Sequence, residues 1–423
     1  MAMAPKPSEP APSTPQVPVR GFRQTFAALK HRNYRLWFVG QMISLFGTWM
    51  QATAQGFLVY QLTGSPAYLG MIGFAGGVPS WIFTLYGGVV ADRIPRRTLL
   101  LFTQTIMMVL AFMLAALVAL GIVEPWHIAV LAFALGVANA FDAPARLAFV
   151  RELVDREDMT NAIALNATMF NMGSFAGPAV AGLAYAIVGP AWCFTLNGLS
   201  FLGVIAALLL MRIPQQQRSA NRATAWHELA EGLHYIRSTP VVRTLILLVG
   251  ATGLFGISFA TLFPVWATDI LGGDAATNGL LQSARGLGAL ISALAIASLG
   301  RFTFKGRLLT LGTFLFPLLL IVFALVRSLP LALLALVTTG MAVILIMNLA
   351  NALVQSLVPD ALRGRVMAVY SMTFFGSIPI GALWAGWLAE LANAPTAMIS
   401  GAVAGLLVAV LMWLLTPEIR ALE

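Results

Sequence analysis

Apolar runs of about twenty residues recur along the whole chain with short polar breaks between them, and a run of that length crosses a ~30 Å hydrocarbon layer as an α-helix. The pattern predicts spans at 35–61, 67–91, 98–122, 126–149, 161–187, 190–211, 243–269, 276–300, 308–327, 331–356, 366–390 and 394–415. Several starts carry helix-initiating chemistry. Ser65-Pro66 and Thr239-Pro240 each set a capping hydroxyl before a proline suited to the first turn. Ahead of the first span, residues 1–20 are rich in Pro, Ala and Ser and read as a disordered tail. Gly21 to Leu36 reads as a basic amphipathic helix, with Arg23, Lys30, Arg32 and Arg35 interleaved among Phe22, Phe26 and Leu29, lying on a membrane surface. The expected organisation is a tail and surface helix over 1–34, a six-helix bundle over 35–211, a second over 243–416, and a short tail over 417–423. Between the bundles, 212–242 begins polar at Gln215, Gln216 and Gln217, then places Trp226, Leu229, Leu233 and Ile236 at helical spacing, which predicts a second surface helix.

Composition agrees: 59% of residues are hydrophobic and 10% charged, too few charges to wet a soluble surface of this size. The net charge of +9 would suit a nucleic-acid binder, but the basic residues sit in short loops rather than on one polar face, so nucleic acid is not an expected partner. Of the 25 Lys and Arg, all but Arg285 and Arg327 fall on one side of the expected topology. That bias puts both termini in the cytoplasm and supports an even number of spans. The single cysteine, Cys193, has no partner for an internal disulfide. His31, His127, His227 and His234 have no metal-ligand spacing, and no phosphate-binding glycine loop occurs, so no cofactor or metal is expected. No acid falls in the middle third of a span, and nothing resembles an intramembrane catalytic cluster.

The halves repeat. At an offset of 204, Gly173, Gly177, Ala181 and Gly182 align with Ser377, Gly381, Ala385 and Gly386. Parallel repeats of six helices place a substrate path between them near the midplane.

Three groups of residues carry candidate chemistry. The loop after the second span reads Gly88-Val-Val-Ala-Asp92-Arg93-Ile-Pro-Arg96-Arg97. Its glycine permits close helix approach, and its acid suits the positive N-terminus of a helix from the other half. Asp142 and Arg146, four apart near the end of the fourth span, share a helix face and can neutralise each other. They are either a gating or proton-relay pair or a structural ion pair. In the fifth span, Gly173, Gly177 and Ala181 form a smooth stripe beside Pro178, which removes a backbone donor and is expected to bend the helix, and Gly182 follows. Arg285, in the eighth span beside Gln282 and Ser283, must face a cavity or a partner. A cavity position would favour anionic groups, and a hydrogen-bond hub between helices is the other reading. Gln41, Gln51, Gln55, Asn166 and Asn171 are further cavity candidates that could equally join helices.

The first and third of these groups resemble motifs A and C of the major facilitator superfamily, with Pro95 where motif A usually has glycine. The second half has only Gly300-Arg301 and Lys305-Gly306-Arg307, without the acid. Asn33-Tyr-Arg-Leu-Trp37, Gly47-Thr-Trp-Met-Gln51, Leu62-Thr-Gly-Ser-Pro66, Asn161-Ala-Ile-Ala-Leu165-Asn166 and Glu231-Gly-Leu-His-Tyr-Ile-Arg237 resemble the branch holding the bacterial enterobactin exporter and related drug and siderophore efflux proteins. The resemblance covers Asn33 to Leu415. It implies an all-α membrane fold of twelve helices in two pseudo-symmetric bundles, in a bacterial inner membrane. It further implies alternating access, a contact of Asp92 with the eleventh span, a pairing of Asp142 with Arg96, and export associated with motif C. Ser174 stands where many members of the branch carry an arginine, so the substrate contact of such an arginine is not implied here. The expected activity is proton-coupled export of small amphipathic molecules by a single chain, not an enzymatic reaction. A nutrient symporter and a lysophospholipid flippase remain alternatives on the same fold.

Overall fold

In a computed structural model, residues 22–212, 225–299 and 303–422 are described, and every regular element among them is helical. The tail of residues 1–20, Gln215 to Gln217 and Gly300-Arg301 lie outside the described residues, as do the side chains of Phe22, Arg23, Trp226 and His227.

The first half comprises α1 (Arg32–Thr63), α2 (Pro66–Arg93), α3 (Arg96–Ala119), α4 (Pro125–Phe149), α5 (Met159–Val188) and α6 (Pro190–Leu210). The linker holds α7 (Ala225–Ser238). The seventh crossing is broken where the sequence predicted one helix: α8 (Pro240–Phe255) is followed by a 3-10 stretch (Ile257–Leu262), the short α9 (Phe263–Val265) and a π turn (Trp266–Ile270). Gly256 and Pro264 frame that break, one without a β-carbon and the other without an amide donor. The remaining crossings are α10 (Ala275–Leu299), α11 (Lys305–Leu325), α12 (Leu329–Leu357), α13 (Asp360–Leu391) and α14 (Ala394–Leu415).

Ten helices are long and apolar enough to cross a membrane, and an eleventh is added by α2, which is bent by 55° between Thr84 and Tyr86. The twelfth, α1, is 32 residues long but polar for a span. Gln41, Ser44, Thr48, Gln51 and Gln55 recur on one of its faces at alternating steps of three and four.

The bundles pack alike. In the first, α1 packs on α5 and α6, α2 on α4, and α3 on α4 and α6; in the second, α8 packs on α13 and α14, α10 on α12, and α11 on α12 and α14. The bundles meet along α2 with α13 and α5 with α10. The linker helix docks on α13, where Glu231 pairs with Arg365 and Ile236 is buried. The Phe22–Lys30 segment is a 3-10 stretch broken from α1 at His31, and it rests on the start of α5. The Ala28 amide donates to Asn161 Oδ1 at 2.9 Å, and Lys30 and His31 both reach Asp158.

The sequence repeat has a structural meaning. Gly173 and Gly177 do not face the same helix as Gly182. A methyl on Gly177 would lie 2.6 Å from Trp49 Cβ of α1, whereas one on Gly182 would lie 2.5 Å from the Ala275 carbonyl of α10. The partners at the repeat offset do the same, with Gly381 against the Leu254 backbone and Gly386 against Pro66 and Gly70 of α2. Motif C and its copy therefore serve two seams each, one inside a bundle and one between bundles. Pro178 sits inside an α5 that remains helical from Met159 to Val188.

Gly177→Leu is expected to destabilise the detergent-solubilised chain by about 1–3 kcal/mol through overpacking. Gly88→Ala, with nothing within 4 Å of the added methyl, is expected to raise stability slightly, by up to about 1 kcal/mol, because glycine is the poorer helix former.

Candidate functional site

A cavity of 540 Å³ lies where the bundles meet. The polar face of α1 forms one wall, with Gln41, Ser44, Thr48, Gln51 and Gln55, and Gln282 and Thr261 close it from the second half. The low hydropathy of α1 is thereby explained: amides and hydroxyls that would be costly against lipid face an internal space. Gln51 is fixed by Asn197, whose amide donates to it at 2.6 Å, while Gln41 Nε2 is buried without a partner. A second space of 570 Å³ adjoins the first, sharing Gln41, Leu45, Arg146 and Phe170. It holds Asn166 and Asn171 together with Arg151. Asn171 donates to the Ala167 carbonyl of its own helix, whereas Asn166 Oδ1 is buried without a partner.

Asp142 is 1% exposed and lies on the cavity wall. Arg146 Nε stands 3.6 Å from it, as the spacing required. Two partners were not foreseen: Thr103 Oγ1 and Gln104 Nε2 of α3 each donate to Asp142 Oδ1 at 2.9 Å. Two hydrogen bonds and one ion pair offset the cost of burying this carboxylate. The implied pairing of Asp142 with Arg96 is not made. Arg96 donates to Glu152 at 2.6 Å and stands 3.7 Å from Asp92. Glu152 lies just past α4, and its distance in sequence from the arginine motif hid it.

Asp92, Arg97 and Gly88 of motif A make no contact with the second bundle among the described residues. Asp92 is 73% exposed and has Arg96 alone as its ion-pair partner among the described residues. Arg97 donates to the Leu209 carbonyl of α6 at 3.1 Å, inside its own bundle. Gly88 makes no close helix contact; the adjacent Gly87 does, against the Ala140 carbonyl of α4. Gly364, near the start of α13, also has nothing within 4 Å of a β-carbon position. On the face that carries the chain ends, the terminal face, Asp92, Gly88 and Gly364 make no contact between the bundles among the described residues. On the far face the bundles are closed, because Gly70 meets Gly386 and Gly182 meets Gly279 backbone to backbone.

Arg285 lies one turn from Gln282 on α10, away from the exposed Leu280, Ile291 and Leu294, but is not among the residues lining either space. Its Nε is buried without a partner, and no hydrogen bond or ion pair to it is present among the described residues. The hub reading of Arg285 accordingly finds no partner in this conformation.

The family model described as a transmembrane secretion effector matches residues 23–422. The multidrug efflux pump Tap of Mycolicibacterium fortuitum is 27% identical over 386 residues, covering 89% of this chain and 94% of Tap. The enterobactin exporter EntS of Shigella boydii is 28% identical over 92% of this chain and 93% of its own length. Among solved structures, a bacterial homologue of the human lysosomal transporter Spinster, inward-facing and occupied, superposes with a TM-score of 0.73 at 12% identity over 92% of this chain and 98% of that one. The nucleoside transporter NupG superposes with a TM-score of 0.69 at 16% identity over 91% and 98%. These likenesses establish the fold.

A double-mutant cycle between Arg96 and Glu152, read as unfolding free energy in detergent, is expected to show a coupling of about 1.5 kcal/mol, that of one charge-assisted hydrogen bond. The cycle between Arg96 and Asp142 is expected to be additive.

Proposed function

The chain belongs to the transmembrane secretion effector family of the major facilitator superfamily, and is thus a multi-pass membrane transporter; we propose that it exports small amphipathic molecules from the bacterial cytoplasm in exchange for protons. The observation that carries this reading is a cavity walled by amides and hydroxyls at the seam, closed toward the far face by backbone packing, with Asp92 and Gly88 out of contact with the second bundle at the other end. The distribution of Lys and Arg supports a cytoplasmic terminal face in the inner membrane. In that orientation the end without those contacts is where an exporter loads. The named activities of Tap and EntS, both exporters, support the direction. Siderophore-like and drug-like amphipathic compounds are the proposed substrates, and one chain suffices because both cavity walls belong to it.

The two bundles, 35–211 and 243–416, rock about the cavity, and Asp92 seats against the start of α13 when the cytoplasmic face closes. Gly88 then serves the approach that it does not make here. The negative charge of Asp142 is poised between Arg146 and the two α3 donors, so a proton or a substrate cation that displaces Arg146 changes the charge of the wall. Arg285 supplies an unspent positive charge to an anionic group of the substrate. Gln41, Gln55 and Asn166 offer hydrogen bonds along the path.

Everted membrane vesicles with an acidified interior and a pH-sensitive dye test this. Catecholate siderophores, cationic dyes and lysolipids are added in turn. Substrate-dependent proton release by the wild type, and its loss in Asp92→Asn with folding retained, is the expected result. Proton release with lysolipids alone would make the chain a lipid transporter, and normal transport by Asp92→Asn would remove the latch. Arg285→Ala is expected to lower transport of anionic compounds about tenfold, the worth of one charge-assisted contact, and of cationic ones far less. Equal loss for both would assign Arg285 a structural role.

A further inference from the structure

On the far face the bundles are joined by two carboxylates that lie outside the recognised motifs. Asp269, in the π turn ending the seventh crossing, accepts a hydrogen bond from the Tyr60 hydroxyl of α1 at 2.5 Å and one from Thr268 Oγ1 at 2.7 Å. Glu390, one residue from the end of α13, accepts from Ser65 Oγ at 2.6 Å and from the Ala67 amide at 3.2 Å. Ser65 is the N-cap of α2 and Ala67 lies in its first turn. Glu390 therefore sits on the positive end of a helix whose first amides have no intrahelical acceptor. The only other hydrogen bond between the bundles among the described residues, Thr53 to Gln282 at 3.3 Å, lies deeper, at the cavity.

α2 and α13 run antiparallel along the seam, in contact from Gly70 against Gly386 to Trp81 against Gly376, and beyond Thr84 α2 bends by 55°. Backbone contact at Gly70 and Gly386 sets their separation on the far face. Glu390, near the end of α13, caps the start of α2. Asp92, near the end of α2, bears the same relation to the start of α13 at Asp360, but is disengaged in this conformation.

We propose that Asp269 and Glu390 form the far-face latch of this transporter, and that α2 and α13 act as an antiparallel pair with an acidic cap at each end. One cap forms as the other opens. Asp269 and Glu390 are positioning residues: they hold the bundles closed on one side and touch no substrate. A carboxylate accepting from a hydroxyl and a helix amide suits this work, because the bonds are strong when made and the acid is hydrated when they break. The inference rests on the alternating-access reading of Asp92, but its test needs neither a substrate nor a proton gradient.

Cys193→Ala removes the native thiol, and Thr261→Cys then places one reporter on the cavity wall. A membrane-impermeant maleimide is applied to intact cells and, separately, to everted vesicles. Glu390→Gln and Asp269→Asn are each expected to raise labelling from the far face by roughly threefold to tenfold, the population shift of one lost hydrogen bond, and to lower it from the terminal face. Asp92→Asn is expected to shift labelling the opposite way, and Glu390→Asp to stay near the parent. Ser65→Ala removes the donor without altering the acid and keeps the test open if an acid variant fails to elute as a single species. Unchanged labelling in folded Glu390→Gln and Asp269→Asn would overturn the latch. A shift of Asp92→Asn in the same direction as Glu390→Gln would overturn the reciprocity.

Discussion

Close approach of backbones at small residues is the constraint on which this molecule depends. Apolar side chains gain little by leaving lipid for one another, so two bundles adhere through packing and hydrogen bonding rather than through the hydrophobic effect. Gly70 against Gly386 and Gly182 against Gly279 bring α2 to α13 and α5 to α10 at backbone distance. With a β-carbon at these positions the far face would stand apart and the cavity would have no closed end. The same glycines leave the seam smooth, so few side chains must be dislodged when the bundles part.

Polarity inside the bundles follows from that geometry. Once the seam is closed at one end, the face of α1 that carries Gln41, Gln51 and Gln55 borders an internal space, and a helix too polar to cross lipid alone becomes a stable wall. Charges are placed with the same economy. Asp142 is matched by Arg146, Thr103 and Gln104, and Arg96 by Glu152, all inside the first bundle. These matches make no use of the second bundle. Arg285 is the exception in the second bundle: its Nε is buried, and no hydrogen bond or ion pair to it is present among the described residues.

Much of the site was legible because short-range rules govern it. The Asp142 to Arg146 pair follows from helical spacing, and the cavity positions of Gln41, Gln51 and Gln55 follow from the cost of an amide in a span. What escaped the sequence involves partners far apart along the chain. Glu152 as the partner of Arg96, Thr103 and Gln104 on Asp142, and Asp269 and Glu390 across the seam each need a tertiary contact between helices that no local pattern specifies. The break in the seventh crossing was missed for a related reason. Gly256 and Pro264 are common in membrane spans, and neighbouring helices decide whether such residues bend a span or interrupt it.

The sequence alone determined the number of crossings, the internal repeat and the family, because each is written in hydropathy length, charge bias and small-residue spacing, which act locally against a fixed bilayer. Tertiary structure decided which side of the repeat each glycine serves, Gly177 inside a bundle and Gly182 between bundles, although both carry the same residue in one motif. It also decided which end of α2 meets the second bundle: Glu390 bonds Ser65 and Ala67 at its start, whereas Asp92 near its end pairs with Arg96 inside the first bundle, because these contacts join residues far apart along the chain.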